Sequence, residues 1–363
     1  MKVAIINDIH WGVRNNSEFF LDRYVEFFRD TFFPTLDERQ IDTVWILGDT
    51  FDDRRDLNPR TLAYAREHFF DHLAKRNIKV VIIYGNHDVY FKNTNEVNTI
   101  DLLGAIYPNV HVVKTHEVLN FDGTDVGFIS WINNENLNDS MEWMSNVQAP
   151  ILCGHFEIKS FQMTKGQVCE HGFDKALFSR FERVISGHFH VASDDGRIFY
   201  PSNPFQTNWG DYGLEKGFRI FDIDTRTFEF IRNKFDLYEK FWFNEATEVL
   251  EFDYSQFENK HVRVYVDQFP APGVQNRIHL FLEELTKHAY QVVLEEVSED
   301  MSHFDKLKAG DTFDNADMAQ VIQKYIEDTI QEGSALDKKK MTGLFMDLYE
   351  EALTMSPNEE GDE

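Results

Sequence analysis

Five short apolar runs in this chain of 363 residues end in side chains able to hold a divalent metal. The endings are Asp8-Ile9-His10, Gly48-Asp49-Thr50-Phe51-Asp52, Gly85-Asn86-His87-Asp88, Gly154-His155 and Gly187-His188-Phe189-His190. Carboxylate, imidazole and amide donors in one set suit borderline ions such as manganese, iron or zinc. The donors are too many for one tetrahedral ion. They suit two ions about 3.5–4 Å apart that share a carboxylate, the arrangement that hydrolyses phosphoesters. Any one of these groups alone is as readily a turn. Five in order, each closing an apolar run, carry the reading. The other histidines, among them His68, His111, His261 and His288, have no such setting and read as surface or packed residues.

The elements that must position these groups alternate short β-branched runs with helical patterns, the habit of an α/β domain. Strands are expected at Lys2–Asn7, Thr43–Leu47, Lys79–Tyr84, Val126–Ile132, Pro150–Cys153 and Arg183–Ser186. Ligands of open α/β sheets gather at the carboxyl ends of the strands, so the five endings converge. Ser17 is placed to cap a helix carrying Phe20, Tyr24, Phe28 and Thr31 on one face. Asn58-Pro59 opens another helix, and Asn95 to Leu103 forms a shorter one.

Composition narrows the class. Sixty-three acids against 36 bases give a net charge of −27, yet 42% of residues are hydrophobic, so the chain has a full core. Such acidity excludes a general nucleic-acid coat; any DNA must be met through metals or a local cationic groove. Two cysteines make no disulfide framework, the N-terminus is not a signal peptide, and no apolar run is long enough for a membrane. A reducing, cytoplasmic setting is expected (that of the host, if a phage encodes the chain). Residues 295–363 hold nearly half the net charge, and SEDMSHFDKLKAGDTFDN reads as a linker.

The series DIH, GDTFD, GNHD, GHF and GHFH resembles the calcineurin-like metallophosphoesterases over residues 1–190. Tyr200-Pro201-Ser202-Asn203-Pro204-Phe205-Gln206 and Glu215-Lys216-Gly217-Phe218 narrow the resemblance to SbcD-type nucleases of double-strand-break repair. Length and acidic tail sit closest to the phage recombination endonucleases. Ser202 departs from the glycine of that pattern, a change expected to touch no ligand. Asp52 stands where archaeal relatives carry histidine.

The resemblance implies an α/β two-sheet sandwich with a small α/β capping domain and a C-terminal helix pair. The spans are 1–240 for the nuclease domain, 244–297 for the cap, 298–314 for a linker, 315–355 for the helix pair and 356–363 for a disordered tail. Asp8, His10 and His190 would hold one ion, Asn86, His155 and His188 the other, and Asp49 both. The ions are expected to be Mn²⁺. His87 would protonate the leaving oxygen, with Asp52 accepting a hydrogen bond from it. Trp11 either stacks on a base or packs in the core.

The implied activity is 3′-to-5′ exonuclease on duplex DNA and endonuclease on single strands. A phosphomonoesterase or nucleotide phosphodiesterase on the same scaffold is the rival. Residues 58–75 and 95–103 would form a homodimer, and 315–355 would dock on an SMC-like coiled-coil ATPase. That motor must be another chain, because no GxxxxGK run is present. In 315–355, Met318, Val321, Ile322, Tyr325, Ile326 and Ile330 share one helical face, and Met341, Leu344, Phe345, Leu348, Tyr349 and Leu353 repeat the spacing.

Overall fold

A computed structural model describes residues 1–244, 247–267 and 273–297. The linker, helix pair and tail expected at 298–363 lie outside the described residues.

Two six-stranded sheets face each other. The first runs β14 (Thr227–Arg232), β13 (Gly217–Asp222), β1 (Lys2–Ile6), β2 (Thr43–Leu47), β3 (Lys79–Ile83) and β4 (Val110–Val113). The second runs β11 (Ser193–Asp194), β12 (Ile198–Tyr200), β10 (Arg183–Gly187), β7 (Ile151–His155), β6 (Thr124–Ile129) and β5 (His116–Phe121). The central strands are parallel and buried on both faces, which is why they read as unbroken apolar runs. Alternation divides each between two cores. Val3 and Ile5 enter the layer between the sheets with Trp45, Leu47, Phe128 and Ile185. Ala4 and Ile6 face a helix layer rich in phenylalanine, including Phe27, Phe28, Phe32 and Phe69. Cys153 is a free thiol inside the inter-sheet core.

The expected strands are all present, and β7 runs two residues further, so His155 closes the strand instead of following it. The helix after Ser17 is interrupted. Helical turns Glu18–Phe27 and Phe33–Arg39 flank a wider π turn, Phe28–Phe32. Pro34 has no amide hydrogen to continue the ordinary ladder at that junction. Asn58 caps its helix through its side chain, accepting from the Arg60 amide at 2.9 Å.

The third expected helix is shorter than its pattern. It spans Ile100–Ile106, because Asn98 accepts from the Asp101 amide and Asn95 donates to the Trp131 carbonyl. Side-chain bonds of this kind compete with helix formation. Trp11 is core: 1% exposed, stacked on Phe28 and edge-on to Tyr24.

A third sheet, β15 (Tyr238–Trp242), β16 (His261–Asp267) and β17 (Gln291–Val297), is parallel throughout and packs with the helix Val274–Leu285 around its own apolar core. Its first strand begins within the span assigned to the nuclease domain. Among the described residues no helix is long and apolar enough to cross a membrane.

Candidate metal centre

The strand ends bring Asp8, His10, Asp49, Asn86, His87, His155, His188 and His190 together. Backbone bonds continue the β1–β2 ladder past both strands: the amides of Asp8, His10 and Trp11 donate to the carbonyls of Gly48, Asp49 and Thr50. The chain then turns sharply. Asp8, His10, Asp49 and His188 all have positive φ (50°, 52°, 50° and 92°), a conformation that costs non-glycine residues energy and is held only by surrounding structure. Gly85 has a steric role as well, since a Cβ there would collide with the carboxylate and amide of Asp49.

Three donor groups result, Asp8–His10–His190, His10–Asp49–His87 and Asp49–His155–His188, each with its donor atoms within 4.8 Å of one another. His10 Nε2 lies 3.1 Å from His190 Nε2 and 3.8 Å from Asp49 Oδ2. On the other side Asp49 Oδ2 is 3.3 Å from His155 Nε2. Asn86 Oδ1 completes that half, 3.1 Å from His155 Nε2 and 3.0 Å from His188 Nδ1. Asp49 thus stands between the two halves. So many lone-pair donors converging in a buried space fit two divalent cations. Asp8, His10 and His190 would hold one, Asn86, His155 and His188 the other, with Asp49 shared.

In this protein, protons and charges balance the cluster. Burial would lower the pKa of His155, but the Asp49 and Asp8 carboxylates raise it to about 9. His10 reaches about 9 in the same way, against its burial, through Asp52, Asp49 and Asp8. His188 falls to about 3 from burial and the charge of His155. Asp49 is held well below the carboxylate range, because its histidines outweigh its burial.

His87 turns Nδ1 to the main-chain carbonyl of Asp52, not to its carboxylate as the sequence suggested. The Asp52 carboxylate instead lies 3.2 Å from His10 Nδ1. The His87 amide donates to Asp49 Oδ1 at 2.8 Å.

Sequence reasoning gave Asp88 and Lys216 no role. Asp88 is wholly buried and accepts from the amides of Thr50 (2.9 Å), Phe51 (3.2 Å) and Gly85 (2.8 Å), tying two ligand loops together. Its burial and the nearby Asp49 raise its pKa to about 7. Its place directly after Asn86-His87 was the only available signal.

Lys216 is 3% exposed and donates to the His190 carbonyl (2.7 Å) and Asn203 Oδ1 (2.6 Å), while pairing with Asp211 at 2.8 Å. Ser202 corrects the expectation that it touches no ligand. Its hydroxyl donates to the same His190 carbonyl at 2.7 Å, from a backbone at φ 75°. Replacing Lys216 with Met leaves the Asp211 carboxylate without its buried counter-charge and Asn203 Oδ1 without its donor. A loss of roughly 3–5 kcal/mol in urea unfolding is expected, the cost of breaking a buried pair. Unfolding at the unsubstituted midpoint would show that the pair is dispensable.

The sequence pattern of the calcineurin-like phosphoesterases matches residues 1–192. The chain belongs to that family. The expectation of a two-sheet, metal-dependent phosphodiester hydrolase is met with it. This phosphoesterase is 30% identical over 296 residues to exonuclease subunit 1 of enterobacteria phage T4, spanning 81% of this chain and 84% of that one.

Solved structures with likeness include an archaeal phosphodiesterase (13% identity, TM-score 0.34, 64% of this chain and all of that one). Another is the Pseudomonas putida nuclease MPE (18% identity, TM-score 0.28, 60% and 83%). Likeness at such scores carries no weight for this phosphoesterase.

Proposed function

We propose that this phosphoesterase is a manganese-dependent DNA nuclease, acting 3′ to 5′ on duplex ends and endonucleolytically on single strands during recombination and repair. The observation that carries the reading is the assembled donor set around Asp49, together with similarity to a phage exonuclease subunit over most of both chains. Two ions held by these donors would supply polarisation of the phosphodiester and activation of a water as nucleophile. The protein's part is positioning and proton transfer. Asp49 and Asp8 fix the spacing of the donors, while Asp88 holds the Asp49 and Asn86 loops in register. His87 donates Nδ1–H to the Asp52 carbonyl, which leaves Nε2 as the ring nitrogen that can pass a proton to the leaving oxygen. It does so from the imidazolium form, returning to the neutral ring with Nδ1–H retained.

The test is incubation with manganese and either single-stranded DNA or an aryl phosphate. Nucleotide release without monoester cleavage supports the nuclease. Monoester cleavage alone turns the reading to a phosphomonoesterase.

The dimer is proposed through the same region as expected, residues 58–75 and 95–103. Ile100 is fully buried in the helix-layer core, whereas Leu102 (58% exposed) and Ile106 (48%) face outward. Leu102→Glu with Ile106→Glu is expected to halve the mass in sedimentation velocity; an unchanged dimer rejects this placement. The 315–355 segment, outside the described residues, is proposed to dock on an SMC-like ATPase. Truncation after Ser302 is expected to abolish co-purification and to spare cleavage of single-stranded DNA, and loss of cleavage would assign the segment to the nuclease itself.

A further inference from the structure

A cavity of about 340 Å³ is lined by His190, Ser202, Leu214, Glu215, Arg219 and Phe230, among others. Its size is at the small end of ligand pockets, room for a single nucleotide unit and not a duplex. Arg219 is its unusual feature. The guanidinium lies 3.8 Å from the centre of the Phe230 ring, its partner across β13–β14, and 5.7 Å from that of Phe199.

Stacking occupies the face of the guanidinium and leaves its in-plane N–H donors free. Nε is buried with no hydrogen-bond partner, and among the described residues Arg219 forms no ion pair. Glu215 is the acid that faces it, and that carboxylate is drawn to Arg232 at 3.5 Å. Burial lowers the guanidinium pKa to about 10, still charged at neutral pH.

A second cation reaches the same rim. Lys165, in the turn between Gln162–Thr164 and Gln167–Val168, places Nζ 3.9 Å from where a Cβ on Gly213 would stand, and Gly213 lines the cavity. Lys165 also forms no ion pair among the described residues. In a chain of net charge −27, two cations that form no ion pair at one cavity are conspicuous, even with Glu215 on its wall. An unpaired buried donor is costly, and an anion in this cavity would meet the charge that Arg219 brings to it.

We propose that this cavity is a phosphate subsite that takes the nucleotide unit of a DNA strand next to the phosphodiester held at the metals. The inference rests on the nuclease reading for the identity of the anion, and on the cavity for its place. The shared wall, His190, makes the two anion positions neighbours. Apolar Leu214 and Phe230 suit a sugar or base beside the phosphate.

The experiment measures binding of a fluorescent single-stranded oligonucleotide to the full chain in a metal chelator, across a salt series. Binding to single strands falls with salt by about 0.7 in log–log slope for each phosphate neutralised. Arg219→Gln is expected to weaken binding about tenfold and flatten the slope by about 0.7, the signature of one lost charged contact. Lys165→Gln, exposed and with no packing role, is expected to flatten the slope in the same direction without risk to the fold.

Competition with 5′-dTMP and with inorganic phosphate separates the sources of the anion. Stronger displacement by dTMP supports a nucleotide unit, and equal displacement by free phosphate overturns that part in favour of a simple phosphate site. Unchanged affinity and slope in both variants, or no binding by the unsubstituted protein in chelator, overturns the subsite. Failure of the nuclease reading shows separately, as absence of manganese-dependent DNA cleavage, because the chelator assay does not depend on turnover.

Discussion

Asp49→Asn is expected to empty both halves of the metal centre and to lower DNA cleavage by about 10³-fold or more. One oxygen, Oδ2, faces His155 at 3.3 Å and His10 at 3.8 Å, so the same carboxylate serves both donor groups. The other, Oδ1, accepts the His87 amide. Asparagine keeps the shape and an oxygen for that amide, while it removes the charge and puts an NH₂, which has no lone pair for a metal, where Oδ2 stood. Paired ions contribute several kcal/mol of transition-state stabilisation, and each 1.36 kcal/mol is tenfold in rate. Metal content by elemental analysis and single-turnover cleavage are the two readouts. A variant retaining two ions per chain at unsubstituted affinity would remove Asp49 from the shared position.

The convergence itself was legible because the strands that deliver the ligands are buried on both sides. Burial on two faces writes a strand as an unbroken apolar run, and the polar residues that stop it stand out by contrast. Val3 to Ile6 followed by Asp8 is such a case. Strands at and next to the sheet edges gave no comparable signal. Ser193–Asp194 and Ile198–Tyr200 are too short, and Thr227–Arg232 is only partly covered, so β11, β12 and β14 were not anticipated.

The second layer of the site was hidden for a different reason: its contacts run through the backbone. Asp88 acts on three amides, and Ser202 and Lys216 act on one carbonyl. Sequence shows side-chain types and not which main-chain atoms they meet. Asp52 was misassigned on the same account, since its carbonyl and its carboxylate serve two different histidines. Trp11 was open between stacking on a base and packing in the core, and the structure puts its ring in the helix-layer core against Phe28 and Tyr24.

That division of labour in Asp52 sharpens the expectation for His87. His87→Ala is expected to reduce cleavage about 10²–10⁴-fold, the range of general acid catalysis, while both metals remain bound. The ring meets His10 edge-on, with centroids 4.9 Å apart, and its Nδ1 is taken by the Asp52 carbonyl. Its removal therefore leaves Asp8, His10 and His190, and Asp49, Asn86, His155 and His188, with all their mutual contacts.

Asp52→Ala supplies the contrast. The carbonyl that sets the His87 tautomer survives that substitution, and the lost carboxylate is the one beside His10 Nδ1. Weaker metal binding on the His10 side is expected, by roughly 10–100-fold, as for groups that orient metal ligands. The proton-transfer step is expected to remain intact once metal is saturating. A substrate whose leaving group needs no proton should restore the His87→Ala rate and leave Asp52→Ala unaffected at high metal. If His87→Ala instead lost an ion as Asp49→Asn does, His87 would be a ligand in the His10–Asp49–His87 group, and the proton donor would have to be sought elsewhere.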